Sequence, residues 1–183
     1  KPAFHRMDRL SAEICKLATN CFLTTKISFA NSIGDLALRS GADPAKILAA
    51  IGGDSRIGSK YLRYGFGFGG PCFPRDNRAL NHFARSRQFD LLLSQATDAV
   101  NNQHLHFQFE HWMHNHAPED MIEFDSVAFK KGSVSIEESQ QLALAIMLAK
   151  AGRRVKVRDR PEVIETLKLR FGDLFLYQTE PDG

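Results

Sequence analysis

The residues best suited to chemistry sit in one run, Gly65-Phe66-Gly67-Phe68-Gly69-Gly70-Pro71-Cys72-Phe73-Pro74-Arg75-Asp76. Four glycines in six positions strip bulk from the backbone, so that it can approach a ligand closely or adopt positive φ. Pro74 suits the first turn of a helix, where its missing N–H costs nothing, and that helix carries Arg75, Asp76, Ala79, Leu80 and Phe83. Cys72 then lies at the positive end of the helix, a position that can lower a thiol pKa from about 8.5 into the range of roughly 3.5–7.5. Asp76 follows at i+4 on the same face. A thiolate with a neighbouring carboxylate is a pattern of covalent catalysis; the competing reading is a small buried hydrophobe in a tight turn. Residues 65–70 also spell G-x-G-x-x-G, but a dinucleotide turn needs a buried strand before it and an acid about 20 residues after it. Ser59-Lys60-Tyr61-Leu62-Arg63-Tyr64 is too polar for such a strand, so that fingerprint is rejected.

The elements that must position this loop begin upstream. Ile14, Leu17, Ala18, Cys21 and Phe22 recur at helical spacing. They predict a helix from a Ser11 N-cap through Ile33, Leu36 and Ala37 to a Gly41 C-cap. Lys16 and Asn20, at i and i+4, share a stripe beside the apolar one and point a cation and an amide the same way; by themselves they also fit an ordinary solvated surface.

The helix pattern E-x-x-K-x-x-x-N, the segment from Gly53 to Leu62, and G-F-G-G-P-C-F-P-R-D together resemble the UDP-glucose/GDP-mannose dehydrogenase family, with order and spacing nearest its UDP-glucose branch. The resemblance is dense over residues 11–82 and thinner from 118 onward. It implies a four-electron oxidation of a nucleotide-sugar alcohol to a carboxylate with two NAD. Cys72 would hold the intermediate as a thiohemiacetal and then a thioester, and Asp76 would orient or deprotonate the hydrolytic water. Lys16 and Asn20 would steady the oxyanion and place the water, which suits donors aimed at growing negative charge. It also implies that Arg56 reaches the sugar-nucleotide site of a neighbouring subunit. Tyr61, Leu62, Arg63, Tyr64, Gly65 and Gly69 would line the substrate, Lys130 would touch it, and Arg75 would contact the cofactor. GDP-mannose is the rival substrate. A non-catalytic dimerisation or binding module of the same fold is the rival class. One departure stands out: Ser135-Ile136-Glu137-Glu138-Ser139 replaces the family's D-x-R-E-S, so Glu137 sits where an arginine is associated with the cofactor, a charge reversal that should weaken NAD binding.

The 183 residues are 43% hydrophobic with a formal charge of +3, enough to bury a core and too weakly basic to argue for nucleic acid. No apolar run reaches the 18 or so residues of a membrane span. Three cysteines without disulfide or zinc spacing fit a reducing, cytoplasmic setting. Punctuation predicts a short helix from Pro44 to Ile51, the Cys72 helix, and a long helix from Asp90 to His116 broken at Ala117-Pro118. After Met121 the period changes. Ser126–Phe129 reads as a strand end, Glu138–Lys150 as a helix, Arg153–Val157 as a strand, Glu162–Arg170 as a helix and Leu174–Tyr177 as a strand, a βαβαβ unit. The expected class is therefore mainly α followed by α/β. Residues 1–117 would form a helical central domain that dimerises through its long first helix, and residues 118–183 part of a Rossmann-like nucleotide-sugar domain. The family's NAD domain would precede Lys1, and the chain alone would be inactive. His104, His106, His111, His114 and His116 crowd one segment without completing a metal motif, so no metal site is assigned.

Overall fold

A computed structural model describes residues 4–180. Among these, four helices come first: α1 (Arg9–Arg39), α2 (Pro44–Gly52), α3 (Phe73–Ser86) and α4 (Leu92–Asn115). They are followed by β1 (Met121–Phe124), α5 (Gln140–Lys150), β2 (Arg154–Asp159), α6 (Pro161–Phe171) and β3 (Leu176–Thr179). The three strands form a parallel sheet in the order β1-β2-β3, so the class is mainly α followed by α/β.

The helix boundaries follow their caps. α1 starts earlier than its apolar spacing predicts: Asp8 is the N-cap, and its carboxylate accepts both the Ser11 N–H at 3.0 Å and the Ser11 hydroxyl at 2.6 Å. Asp43 caps α2 ahead of Pro44. At the far end of α1, Gly41 takes φ +72°, the left-handed conformation that stops a helix.

α1 packs on α4 through polar side chains. Thr24, Ser28 and Asn31 of α1 and Ser94, Thr97, Asn101, His104 and Gln108 of α4 are buried, whereas Phe22, Phe29 and Leu36 of α1 are 64%, 47% and 61% exposed. The apolar stripe of α1 thus faces outward for much of its length. Much of the seam is bonded internally: the Ser28 hydroxyl donates to the Thr97 carbonyl at 3.2 Å, and Thr25 meets Thr97 through their hydroxyls at 3.2 Å, while Gln108 Oε1 is left without a partner.

The apolar core lies in the second half. Ile122 pairs with Val155 and Phe124 with Val157 across β1 and β2, and these side chains pack with Leu144, Leu148, Val163 and Leu167 of the two following helices. Trp112 of α4 stacks on Phe124 at 5.2 Å, which joins the helical part to the sheet. Buried Arg153 donates to the His116 and Ala117 carbonyls just beyond the end of α4.

Besides the start of α1, three departures from the sequence-based expectation have a visible cause. Ser126–Phe129 is a loop, not a strand end. The Asp159 carboxylate accepts the Ser126 hydroxyl and the Val127 and Ala128 N–H groups, drawing the chain off the sheet after Phe124. α5 is capped by Ser139, because Glu138 adopts φ +46° and cannot belong to the helix. β3 starts at Leu176, after Phe175 has turned into the core.

Candidate active site

Cys72 is the N-cap residue of α3, exposed, with no side-chain capping bond. The Asp76 N–H donates to the Cys72 carbonyl at 2.8 Å, so the carboxylate stands one helical turn from the thiol. Asp76 is 2% exposed, and α1 brings two donors to it. Lys16 Nζ forms an ion pair with Oδ2, and Asn20 Nδ2 donates to the same oxygen at 2.6 Å. Arg75 adds two donors to Oδ1 at 3.2 Å. Burial by itself raises a carboxyl pKa; here the bonds from Lys16, Asn20 and Arg75 outweigh it and hold Asp76 below its ordinary value. Lys16, Asn20, Arg75 and Asp76, four residues singled out by sequence, therefore form one charged group beside Cys72.

The loop before Cys72 is fastened by the polar seam. Asn31 accepts the Gly65 N–H at 3.1 Å, and Asn101 accepts the Phe68 N–H at 2.9 Å while donating to the Phe68 carbonyl at 3.0 Å. His104 and Gln108 reach the Gly65 carbonyl at 2.6 and 3.3 Å. The glycines do not hold space open for a ligand as their sequence suggests. A Cβ on Gly67 would meet Asn101 at 2.3 Å, one on Gly69 the Glu138 carbonyl oxygen at 2.2 Å, and one on Gly70 the Phe129 ring at 2.3 Å. Gly65 alone among the loop glycines has open space at that position. The Gly70 N–H also bonds the Glu137 carbonyl at 2.9 Å, and Arg78 grips the Glu138 carboxylate at 2.6 and 3.0 Å. Segment 137–139 is thereby pinned against the Cys72 loop, and Ser59–Tyr64 ahead of that loop is a turn followed by irregular chain rather than a strand.

The remaining expected residues divide. Exposed Tyr61, at φ +61°, sets its ring edge against Phe73 at 6.3 Å, next to Cys72. Leu62 is buried with Ala30 and Leu48. The Tyr64 hydroxyl donates to Asp35 at 2.9 Å. Arg63, with Leu62, Tyr64 and residues of α1 and α2, lines a cavity of about 600 Å³. Lys130 stands over the Phe129 ring at 5.4 Å, and Phe129 abuts Gly70. Arg56 does not join the Cys72 group; its exposed guanidinium pairs with Asp54 at 2.6 Å. Asn31, Asp35, Asn101, His104 and Gln108 carry no motif and were not singled out as a loop clamp. Their signal is the recurrence of polar residues at helical spacing, 24-28-31-35 on α1 and 94-97-101-104-108 on α4. His104 differs from the other clustered histidines in being buried.

Residues 10–103, just over half of the chain, match the UDP-glucose/GDP-mannose dehydrogenase family, central domain. The chain belongs to this family. Its similarity to the UDP-glucose 6-dehydrogenase TuaD of Bacillus subtilis is 36% identity over 172 residues, covering 93% of the chain and 37% of that protein. The UDP-glucose 6-dehydrogenase AglM of Haloferax volcanii is 36% identical over 177 residues, 89% of the chain and 38% of the relative. A UDP-glucose dehydrogenase structure from Pyrobaculum islandicum superposes with a TM-score of 0.83 at 34% identity, covering 96% of the chain and 41% of that one. A GDP-mannose dehydrogenase from Pseudomonas aeruginosa gives a TM-score of 0.56 at 26% identity, covering 92% and 41%. This member of the dehydrogenase family thus spans about two-fifths of the length of these relatives.

Proposed function

We propose that this chain carries the catalytic cysteine of an NAD-dependent dehydrogenase that oxidises UDP-glucose to UDP-glucuronate. In this reading residues 1–117 form the helical central domain and residues 118–183 the start of the nucleotide-sugar domain. The observation that carries it is the meeting of Lys16, Asn20 and Asp76 one turn from an exposed Cys72 at a helix N-terminus. The higher TM-score of the UDP-glucose enzyme over the GDP-mannose enzyme favours UDP-glucose as substrate.

Of the residues present, Arg75 suits an anionic cofactor, since its guanidinium is 62% exposed beside the Cys72 turn. The turn after β1 is not glycine-rich, and Glu137 puts a carboxylate in the segment bonded to Gly70. This chain's own share of an NAD site is therefore an edge contact through Arg75. NAD, when bound, accepts the hydride in each of the two oxidations. Cys72 adds to the aldehyde carbon left by the first, giving a thiohemiacetal whose oxygen faces the Lys16 ammonium and the second Asn20 N–H. Loss of the second hydride from that carbon, with the hydroxyl proton passing to solvent, leaves a thioester on Cys72. Asp76, held ionised, takes a proton from the water that cleaves it, releasing the carboxylate and restoring the thiol. The donors that keep Asp76 ionised are thus the donors that stabilise the oxyanion.

The test is alkylation kinetics with activity in parallel. Cys72 is expected to react far faster than Cys15 and Cys21, the latter buried with a thiol pushed up by that burial, and in protein that carries the family's NAD domain Cys72→Ser is expected to abolish NAD reduction with UDP-glucose. Equal slow labelling of all three thiols would leave a binding module instead.

A further inference from the structure

The buried polar groups that this chemistry does not use converge on one residue of α4. His104 is 1% exposed. Its Nδ1 lies 2.9 Å from each carboxylate oxygen of Asp35, and its Nε2 lies 2.6 Å from the Gly65 carbonyl oxygen. The Gly65 carbonyl can only accept, and Asp35 Oδ1 already accepts from the Tyr64 hydroxyl. A neutral imidazole offers one N–H and one lone pair, so one of its nitrogens would face an acceptor with no proton between them. Buried, that opposition costs the desolvation of both groups without a bond to offset it. The ring is the place for the extra proton, because Nδ1 stands equally far from both Asp35 oxygens, as one N–H shared by two acceptors would, and Oδ1 already accepts from Tyr64.

We propose that His104 is a positioning residue carried as an imidazolium. It ties Asp35 of α1 to the Gly65 carbonyl and so fixes the first residue of the loop that presents Cys72. Its bearing on catalysis rests on the reading of Cys72 given above; the charge state and the clamp do not. The charged and titratable groups around the pair are Asp35 and Arg39 from α1 and His106 and Glu110 from α4, which border a groove of about 330 Å³, and Tyr64 from the loop, whose ring meets His104 edge-on. Arg39 is drawn to Glu110 at 3.7 Å. Burial and the Asp35 charge hold the Tyr64 phenol above its ordinary value, so it stays a donor to Asp35. α5 contributes no titratable side chain but Lys150, and α3 meets α4 through Asn77 and Ser94. Removing the proton leaves either the Asp35 or the Gly65 contact of His104 without a donor; Asn31 and Gln108 still hold residue 65, but its tie through His104 to Asp35 of α1 is broken.

Nitrogen-resolved NMR of histidine-labelled protein tests the charge state, and amide exchange tests the clamp. At neutral pH His104 is expected to show two ring N–H signals. On raising the pH one disappears, and protection of the Gly65 and Phe68 amides, corrected for intrinsic exchange, falls roughly tenfold, as suits loss of a hydrogen bond to a charged group. His104→Gln is expected to give the lowered protection with no such pH dependence, and Asp35→Asn to leave a single ring N–H at neutral pH. One ring N–H signal in the wild type at neutral pH, or full protection in His104→Gln, would overturn the proposal; if that variant does not fold, the wild-type spectrum decides. Alkylation of Cys72 scores the catalytic reading separately, since an inert thiol would leave a two-proton His104 signal intact.

Discussion

Asp76 is the residue on which the local electrostatics turn. Its folded pKa lies below the ordinary carboxylate value because three donors overcome its burial. A lowered folded pKa means that the native state binds fewer protons than the unfolded chain. Its contribution is therefore full above the ordinary carboxylate range of about 4 and is lost as pH falls through the folded value. Urea midpoints measured against pH are expected to fall more steeply on the acid side in the wild type than in Asp76→Asn. Parallel curves would show that the carboxylate is not held as described. Lys16 allows a sharper contrast. Its side chain is 56% exposed but its partner is buried, so Lys16→Met is expected to cost about 1–3 kcal/mol of stability, the range for taking a bond from a buried acceptor. In the proposed mechanism the same change removes a cation from the developing oxyanion and should lower kcat by about 10²–10³-fold. A rate loss no larger than the stability loss explains would reduce Lys16 to a structural partner of Asp76.

At the scale of elements, the loop between Gly65 and Cys72 is held by packing more than by charge. A methyl on Gly69 would meet the Glu138 carbonyl, which is backbone and cannot rotate away. Gly69→Ala is expected to cost about 1–3 kcal/mol, the usual range for overpacking. The Arg78–Glu138 pair spans the same junction but is about half exposed at both ends, so Arg78→Ala should cost no more than about 1 kcal/mol. Urea denaturation orders the two, and a larger loss in Arg78→Ala would reverse this account. The helices themselves were legible in the sequence: Asp43-Pro44, Pro74 and Ala117-Pro118 punctuate them, and their period is local. The proposed catalytic grouping was half legible: Cys72 with Asp76 and Lys16 with Asn20 are one-turn neighbours and the family resemblance put both pairs at one site, but the Lys16–Asp76 contact itself, between residues sixty apart, was not expected. The clamp was not legible. Asn31, Asn101 and His104 act on residues 33 to 69 positions away, and a rule that turns apolar faces inward misses a seam built from Thr, Ser, Asn and His. The glycines misled for a related reason, since three of their four spaces are filled by distant parts of the same chain.

The whole molecule is reflected in the inverted α1. Phe22, Phe29 and Leu36 lie seven residues apart, two turns each, and form an exposed apolar stripe opposite the polar seam. A stripe of that period suits a second helix laid alongside, and the dimer proposed for this family member would use it. Within its own subunit Arg56 pairs with Asp54 on an exposed loop; in the proposed dimer it would serve the partner's substrate site, which would give the assembly a catalytic consequence. Two variants separate these roles. Phe29→Glu with Leu36→Glu should convert a dimer to monomers in sedimentation equilibrium, keep its helical circular dichroism because both side chains are already exposed in the single chain, and lose activity together with the dimer. Arg56→Ala should lose activity and remain dimeric. A wild-type protein that sediments as a monomer, or a doubly charged variant that still pairs, would exclude the long helix as the interface; an Arg56→Ala enzyme of normal rate would show that the two sites work independently.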